Sequence, residues 1–258
     1  MDCVQVRRHS DVAVITLNRP QALNALVRSM GEQALAALHE AVATGARSIV
    51  LTGVGRAFCA GADLAAIAEG FNSSPDDVAQ SIGSDMLKVF NPLSLAIAQA
   101  PIPVVCAVNG PCVGGGVGLA LAADIVIAAR SAYFLVPQVA SLGVVPDLGA
   151  TWELPRAMGR ARALGAMLLG ERMGAEQAQD WGLIWQCVDD AALLDQALSL
   201  ASRLANVPAE TVQAARQLVD AAPHTTPANQ LDAERALQVR FLGTAFFRER
   251  VARFLSSS

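Results

Sequence analysis

Residues 107–123 read Ala-Val-Asn-Gly-Pro-Cys-Val-Gly-Gly-Gly-Val-Gly-Leu-Ala-Leu-Ala-Ala, and no other part of the chain combines so many glycines with so little charge. A β-branched run over 103–108 leads into the turn signal Asn109-Gly110-Pro111, after which Gly114-Gly115-Gly116 opens a small, aliphatic, helical segment. The first turn of a helix has N–H donors without an intrahelical partner and a dipole that favours negative charge, and glycine lets a ligand reach the backbone. The stretch is therefore a candidate anion or oxyanion site; the competing reading is that its glycines only permit close helix packing. Other chemistries are less well served. His9, His39 and His224 lie far apart in polar or helical contexts, so they offer no Ser/His/Asp triad. The five cysteines (Cys3, Cys59, Cys106, Cys112, Cys187) are odd in number and lack Cys-x-x-Cys spacing, which indicates neither a disulfide framework nor a zinc site. Gly53-Val54-Gly55 follows a strand but lacks the third glycine of a dinucleotide fingerprint.

The elements that must hold such a site alternate. Residues 4–7 and 12–17 flank the turn His9-Ser10-Asp11 and predict a hairpin; apolar residues at helical spacing predict a helix over 22–43; residues 48–52 return to a strand. Small residues at 59–62 precede Asp63, placed to cap a helix. In the loop at 72–77, Ser73 or Asp76 is placed to cap a helix running to Gln99. The strand over 103–108, the Gly114 helix and a strand over 124–128 form a second βαβ unit, so the expected class is α/β with parallel strands. Beyond Tyr133-Phe134-Leu135, short helices are expected at 136–143, 148–157, 161–169 and 175–181, with a strand at 183–188. A helical third then extends to Phe254, and a soft boundary falls near Asp190.

Composition narrows the classes. With 258 residues, 53% of them hydrophobic and 16% charged, the chain is globular rather than disordered. A net charge of −4 argues against a broad nucleic-acid surface. The uncharged interval between Lys88 and Asp124 fails as a membrane span because Pro92, Pro101, Pro103, Pro111 and the glycine run interrupt it. Residues 1–10 carry Asp2, Arg7 and Arg8 and no apolar core of a secretory signal, so a cytoplasmic location is expected.

Several segments taken together carry a resemblance: Leu17-Asn18-Arg19-Pro20 with Leu23-Asn24-Ala25-Leu26, Phe58-Cys59-Ala60-Gly61-Ala62-Asp63-Leu64, Asn109-Gly110 with Gly114-Gly115-Gly116 and Leu119, Gly143-Val144-Val145-Pro146-Asp147, Trp181-Gly182-Leu183, and Ala245-Phe246-Phe247-Arg248-Glu249-Arg250. In that order and spacing the chain resembles the crotonase family, the enoyl-CoA hydratase/isomerase superfamily, along essentially its whole length. The resemblance implies a spiral α/β core of ββα turns over 1–189. It also implies a helical region over 190–258 for trimerisation and cover of the CoA site, a homotrimer or dimer of trimers, and acyl-CoA substrates with no cofactor beyond the CoA they carry.

It also assigns roles. The amides of Ala62 and Gly115 match the pair that holds the thioester oxygen as it becomes an enolate, a job worth about 3–4 kcal/mol per donor. Asn24, Ala25, Ala60, Gly61, Asp63, Gly114, Gly118 and Val139 match positions near the acyl-CoA, although Gln21 stands where a lysine often occurs. Family hydratases use two glutamates, and this chain departs at both. Gly118 replaces the first, and Val139 or Gln138 replaces the second, depending on whether Gly143 or Pro137 anchors the alignment. Asp147 matches the acid of the ring-1,2-epoxyphenylacetyl-CoA isomerase branch, which the segment from Trp152 to Arg162 also resembles; in dehalogenase-like relatives the equivalent aspartate is a nucleophile. Asp147 could instead cap a helix starting at Leu148. Glu153 is a second candidate acid, with an exposed helical position as its alternative, and Trp152, Trp181 and Trp185 are expected in core or interface. Double-bond migration with Asp147 as base is the favoured expectation. The alternatives are hydration, a nucleophilic-aspartate hydrolase or dehalogenase, and a non-catalytic acyl-CoA-binding protein.

Overall fold

The computed structural model describes residues 2–256 and divides into two compact units, the first ending at Asn206 and the second starting at Val207. The first unit opens with the expected hairpin, in which β1 (Val4–His9) pairs antiparallel with β2 (Val12–Leu17). Then follow α1 (Arg28–Ala43), β3 (Ser48–Gly53), α2 (Leu64–Glu69), α3 (Pro75–Asp85) and α4 (Asn91–Ala98). The chain continues through β4 (Val104–Val108), β5 (Cys112–Val113), α5 (Gly115–Leu121), β6 (Ile125–Ala129) and β7 (Tyr133–Leu135). It closes with α6 (Ala150–Met158), α7 (Arg160–Leu169), β8 (Met173–Gly174), α8 (Ala175–Asp180), β9 (Gln186–Val188) and α9 (Leu193–Leu204).

The main sheet has the order β1-β2-β3-β4-β6-β9, parallel from β2 onward. Every residue of β4 is buried, as a central parallel strand covered on both faces requires. A second, shorter sheet has the order β5-β7-β8. Each turn of the chain thus contributes one strand to the main sheet, a short one to the second, and a helix. β4-β5-α5 is one such ββα turn, and β6-β7 begins the next. Cys59 forms a parallel bridge to Cys112, and Cys112 pairs with Phe134, so three successive turns stack rung on rung in the second ladder. The implied spiral is built this way.

Some boundaries differ from the sequence expectation. The helix expected over 22–43 starts only at Arg28, because a 3-10 turn at Pro20–Ala22 is followed by Leu23 and Asn24 at φ 52° and 56°. Asn24 tolerates that conformation and uses it. Fully buried, its Oδ1 accepts from the Arg19 amide at 2.8 Å, and its Nδ2 donates to the carbonyls of Val54 at 3.0 Å and Ala57 at 2.8 Å. The expected helix through Gln99 is α3, a π turn at Met86–Phe90 and α4, and Ser74, not Ser73 or Asp76, accepts from the Asp77 amide as its cap. The boundary expected near Asp190 gives way because α9 packs on β3 and β4, carrying the first unit to Asn206.

The second unit comprises α10 (Ala209–Ala221), α11 (Pro227–Leu242) and α12 (Ala245–Ser256). Arg240 of α11 pairs with Glu210 of α10 at 2.5 Å, and neither α11 nor α12 buries a residue in this chain.

Asn24→Ala would remove the partner of the Arg19 amide and of the Val54 carbonyl and one of the two donors to the Ala57 carbonyl. Urea unfolding should show a loss of about 2–4 kcal/mol, against well under 1 kcal/mol if the asparagine were a mere surface turn residue.

Candidate active site

Two loops meet at the top of the second ladder. The Pro111 carbonyl accepts from the Phe58 and Cys59 amides, both at 3.1 Å, and the Val113 amide donates to Cys59 at 2.9 Å, which fixes one loop against the other. Phe58, Cys59 and Cys112 are fully buried beneath them. At Gly61 (φ 84°) a Cβ would lie 2.9 Å from the Val113 carbonyl oxygen, so only glycine allows this backbone-on-backbone approach. On its other side this loop is zipped to Leu26. The Leu26 amide donates to Gly61 at 2.7 Å, and its carbonyl accepts from the Asp63 amide at 3.1 Å. In a parallel bridge of this kind the intervening residue's own amide points away from its neighbour. The Ala62 N–H is therefore turned away from Leu26. Gly115 is the first residue of α5, where an amide has no acceptor within the helix. Ala62 and Gly115 both line one cavity of about 420 Å³.

Asp147 lines the same cavity. It is not the helix cap: α6 starts at Ala150 and its N-cap is Gly149. Its Oδ1 lies 3.2 Å from where a Cβ on Gly115 would stand, and the Gln138 Nε2 donates to it at 3.5 Å. Burial raises the Asp147 pKa above the ordinary aspartate value, and hydrogen bonds from its own backbone amide and from Gln138 offset part of this. The other carboxylates around the cavity are already engaged. Asp63 accepts from the Ala66 amide at 3.1 Å as the cap of α2 and pairs with Arg19 at 2.9 Å, and these contacts lower its pKa. Asp85 pairs with Arg28 at 2.7 Å, and Asp77 accepts from the Ser74 hydroxyl at 2.7 Å. Among the described residues of this wall, Asp147 is the one carboxylate with neither an arginine nor a hydroxyl partner.

Gly118 accounts for where Asp147 sits. A Cβ there would lie 2.4 Å from the Leu148 carbonyl oxygen and 2.9 Å from that of Asp147, so the Asp147-Leu148 backbone lies directly on α5. Leu148 holds φ 49° to do so, a strain of about 1–2 kcal/mol. The volume a glutamate at 118 would need is filled by main chain.

Of the residues expected near the ligand, Ala62, Asp63, Gly115 and Asp147 come together on the cavity wall. The others do not line it. Asn24 and Ala25 are buried in the loop beneath, Ala60 and Gly61 carry the bonds to Leu23 and Leu26, and Gly114 donates to the Leu135 carbonyl at 2.8 Å. Gly118 is covered by Leu148, and Val139 is displaced by a π turn at Gln138–Leu142. Anchoring on Pro137 or on Gly143 gives answers one residue apart; in space it is Gln138 that meets Asp147. Glu153 lines a separate groove with Ala157 and Trp185, away from Asp147. Trp152 and Trp185 are exposed rather than in the core. Val78, Ile82, Met86 and Phe90 of α3 and its π turn also line the cavity. Their four-residue spacing was visible; that they face a cavity and not the core was not.

Residues 7–257 match the family described as enoyl-CoA hydratase/isomerase. The chain is 44% identical over 246 residues to a 1,2-epoxyphenylacetyl-CoA isomerase of Escherichia coli (strain K12), covering 95% of this chain and 92% of that one. It is also 44% identical over 249 residues to a probable enoyl-CoA hydratase of Rhodobacter capsulatus, covering 95% and 91%. A crystal structure of an enoyl-CoA hydratase from Polaromonas sp. JS666 superposes with a TM-score of 0.87 at 31% identity, over 98% of this chain and 97% of that one. The chain belongs to the enoyl-CoA hydratase/isomerase family, and its fold is the crotonase fold. Among the described residues no helix is long and apolar enough to cross a membrane, and no group of three or more His, Cys, Asp or Glu could hold a metal ion.

The raised Asp147 carboxyl has a consequence for stability. A group whose pKa is higher folded than unfolded favours the fold when protonated; that contribution is complete below the unfolded value and is lost as pH rises through the folded one. Asp147→Asn should therefore be more stable than the parent at neutral pH, and the difference should vanish at acid pH. Urea midpoints at both pH values measure this, and a variant less stable at neutral pH would contradict it.

Proposed function

We propose that this protein moves a carbon–carbon double bond within an enoyl-CoA, converting a 3-enoyl thioester to the 2-enoyl isomer, with Asp147 as the single acid/base. The observation that carries the proposal is the partly desolvated Asp147 carboxylate, without an arginine or hydroxyl partner, on the same wall as the Ala62 and Gly115 amides. In the proposed reaction the carboxylate takes the proton from C2. The C2–H electron pair forms the C1–C2 double bond of an enolate, whose oxygen the two amides hold. As the enolate collapses, electrons shift to make the C2–C3 double bond, and C4 takes the proton from Asp147. The carboxylate is regenerated, with no net oxidation and no water consumed.

Hydration needs a positioned second acid/base, each such group being worth roughly 10²–10⁴-fold. The two positions that would supply it carry Gly118, packed under main chain, and the neutral amide of Gln138. This favours isomerisation over hydration, although relatives of this chain bear both names. The apolar row Val78, Ile82, Met86 and Phe90 suits an apolar acyl group. The exposed apolar side chains of α11 and α12, among them Leu231, Val239 and Phe254, support the oligomer expected of this region.

Asp147→Asn should lower the rate of 3-enoyl-CoA to 2-enoyl-CoA conversion by at least about 10³-fold while acyl-CoA binding survives. Unchanged turnover would contradict the proposal. Intact-protein mass spectrometry during turnover should show no aspartyl adduct; an adduct would assign Asp147 as a nucleophile.

A further inference from the structure

Among the described residues, Gln138 is the one polar side chain that hydrogen-bonds the Asp147 carboxylate, and only half of its amide is used. The residue is 7% exposed; its Nε2 donates to Asp147, and its Oε1 is buried with no hydrogen-bond partner. Buried polar atoms are nearly always satisfied, so an orphaned amide oxygen beside a reactive carboxyl calls for an explanation. The amide is also built into place. Gln138 opens the π turn, whose end is fastened by the Val144 amide donating to the Gln138 carbonyl at 3.1 Å. Its side chain lies against Gly114, where a Cβ would come within 3.4 Å of Nε2.

Resting on the proposal that Asp147 is the base, we propose that Gln138 is a positioning residue that serves both protonation states of that carboxyl by turning over its amide. With Asp147 ionised, Nε2 donates to the carboxylate. Once Asp147 has taken the C2 proton it is a carboxylic acid with an O–H to place, and rotation of the amide about its terminal bond presents Oε1 as acceptor. No bond is made or broken at Gln138. The proton stays on Asp147 until C4 takes it, after which the amide turns back. A glutamine can do this because its two ends are nearly equal in size and opposite in hydrogen-bonding sense. A carboxylate at 138 would instead repel the ionised base.

The remaining charged groups around Asp147 do not compete for this role. Cys59 underneath is neutral, its thiol pushed up to about 12 by burial, and of the charged residues on the cavity wall Asp63 and Asp85 are held by arginines and Asp77 by Ser74.

The test compares wild type, Gln138→Met and Gln138→Glu as full-length protein with a 3-enoyl-CoA in ordinary and deuterated water. In Gln138→Met the acid limb of the kcat/KM profile should move to higher pH, because the carboxylate has lost its donor. The kcat should fall about tenfold or more with KM nearly unchanged, and deuterium from solvent should enter the product at C4 more than in wild type, because the acid's proton is no longer held. In Gln138→Glu the acid limb should move up and broaden into two coupled steps. Should Gln138→Met fail to fold, Gln138→Glu carries the test alone. An acid limb unshifted in the folded variants would overturn the proposal, as would a shifted limb with unchanged deuterium entry in Gln138→Met. So would lowered thermal stability as the only effect. Asp147→Asn run alongside separates the levels. If it retains activity, the assignment of the base fails; if it is inactive while the Gln138 variants keep the wild-type profile, only the role of Gln138 fails.

Discussion

The contact between two stretches of bare backbone, Gly61 on one loop and Val113-Gly114 on the other, is the constraint from which the site follows. Neither loop could come so near with side chains between them, and neither would hold its place without the Cys59–Cys112 rung below and the Leu26 bridge to one side. Those bonds consume the groups flanking Ala62 and leave its own N–H turned outward. The helix start leaves the Gly115 N–H in the same condition by a different route. Two amides without a partner among the described residues are thereby held on the wall of one cavity. Preorganised donors of this kind need no rearrangement when an oxyanion develops.

The same economy of side chains explains the acid. A glutamate on α5 and an aspartate on the following segment cannot both use the space above Gly118, since the Asp147-Leu148 main chain already fills it. Removing the side chain at 118 lets that segment down onto the helix, and a left-handed Leu148 is the cost. Asp147 arrives beside Gly115 without a cation, in surroundings that disfavour its charge, while Asp63 and Asp85 on the same wall are paired with arginines. Carboxylates lining one cavity are thus divided between holding the structure and remaining available.

Much of this was legible in the chain. The hairpin, the parallel strands and the glycine-rich turn follow from period-2 and period-3.6 patterns and from Asn109-Gly110-Pro111, which are local signals. What was not legible depends on distance through space. The late start of α1 arises because Asn24 meets carbonyls at 54 and 57, and no pattern near residue 24 announces them. The π turn at 138 carries no compositional mark, only a disagreement of one residue between two anchors, and in the fold it is Gln138, not Val139, that meets Asp147. The apolar row of α3 has the spacing of a core stripe, and only the fold reveals that its partner is an open cavity. The boundary near 190 misled because the amphipathic α9 resembles the helices that follow it, yet it closes the sheet.

The most direct test of this account is a crystal structure with a bound acyl-CoA analogue that carries an enolate-like thioester. The prediction is that the thioester oxygen sits about 2.7–3.1 Å from both the Ala62 and the Gly115 nitrogens, with an Asp147 oxygen about 3–3.5 Å from C2. An oxygen bound away from that pair of amides, or another carboxylate nearer to C2 than Asp147, would contradict it.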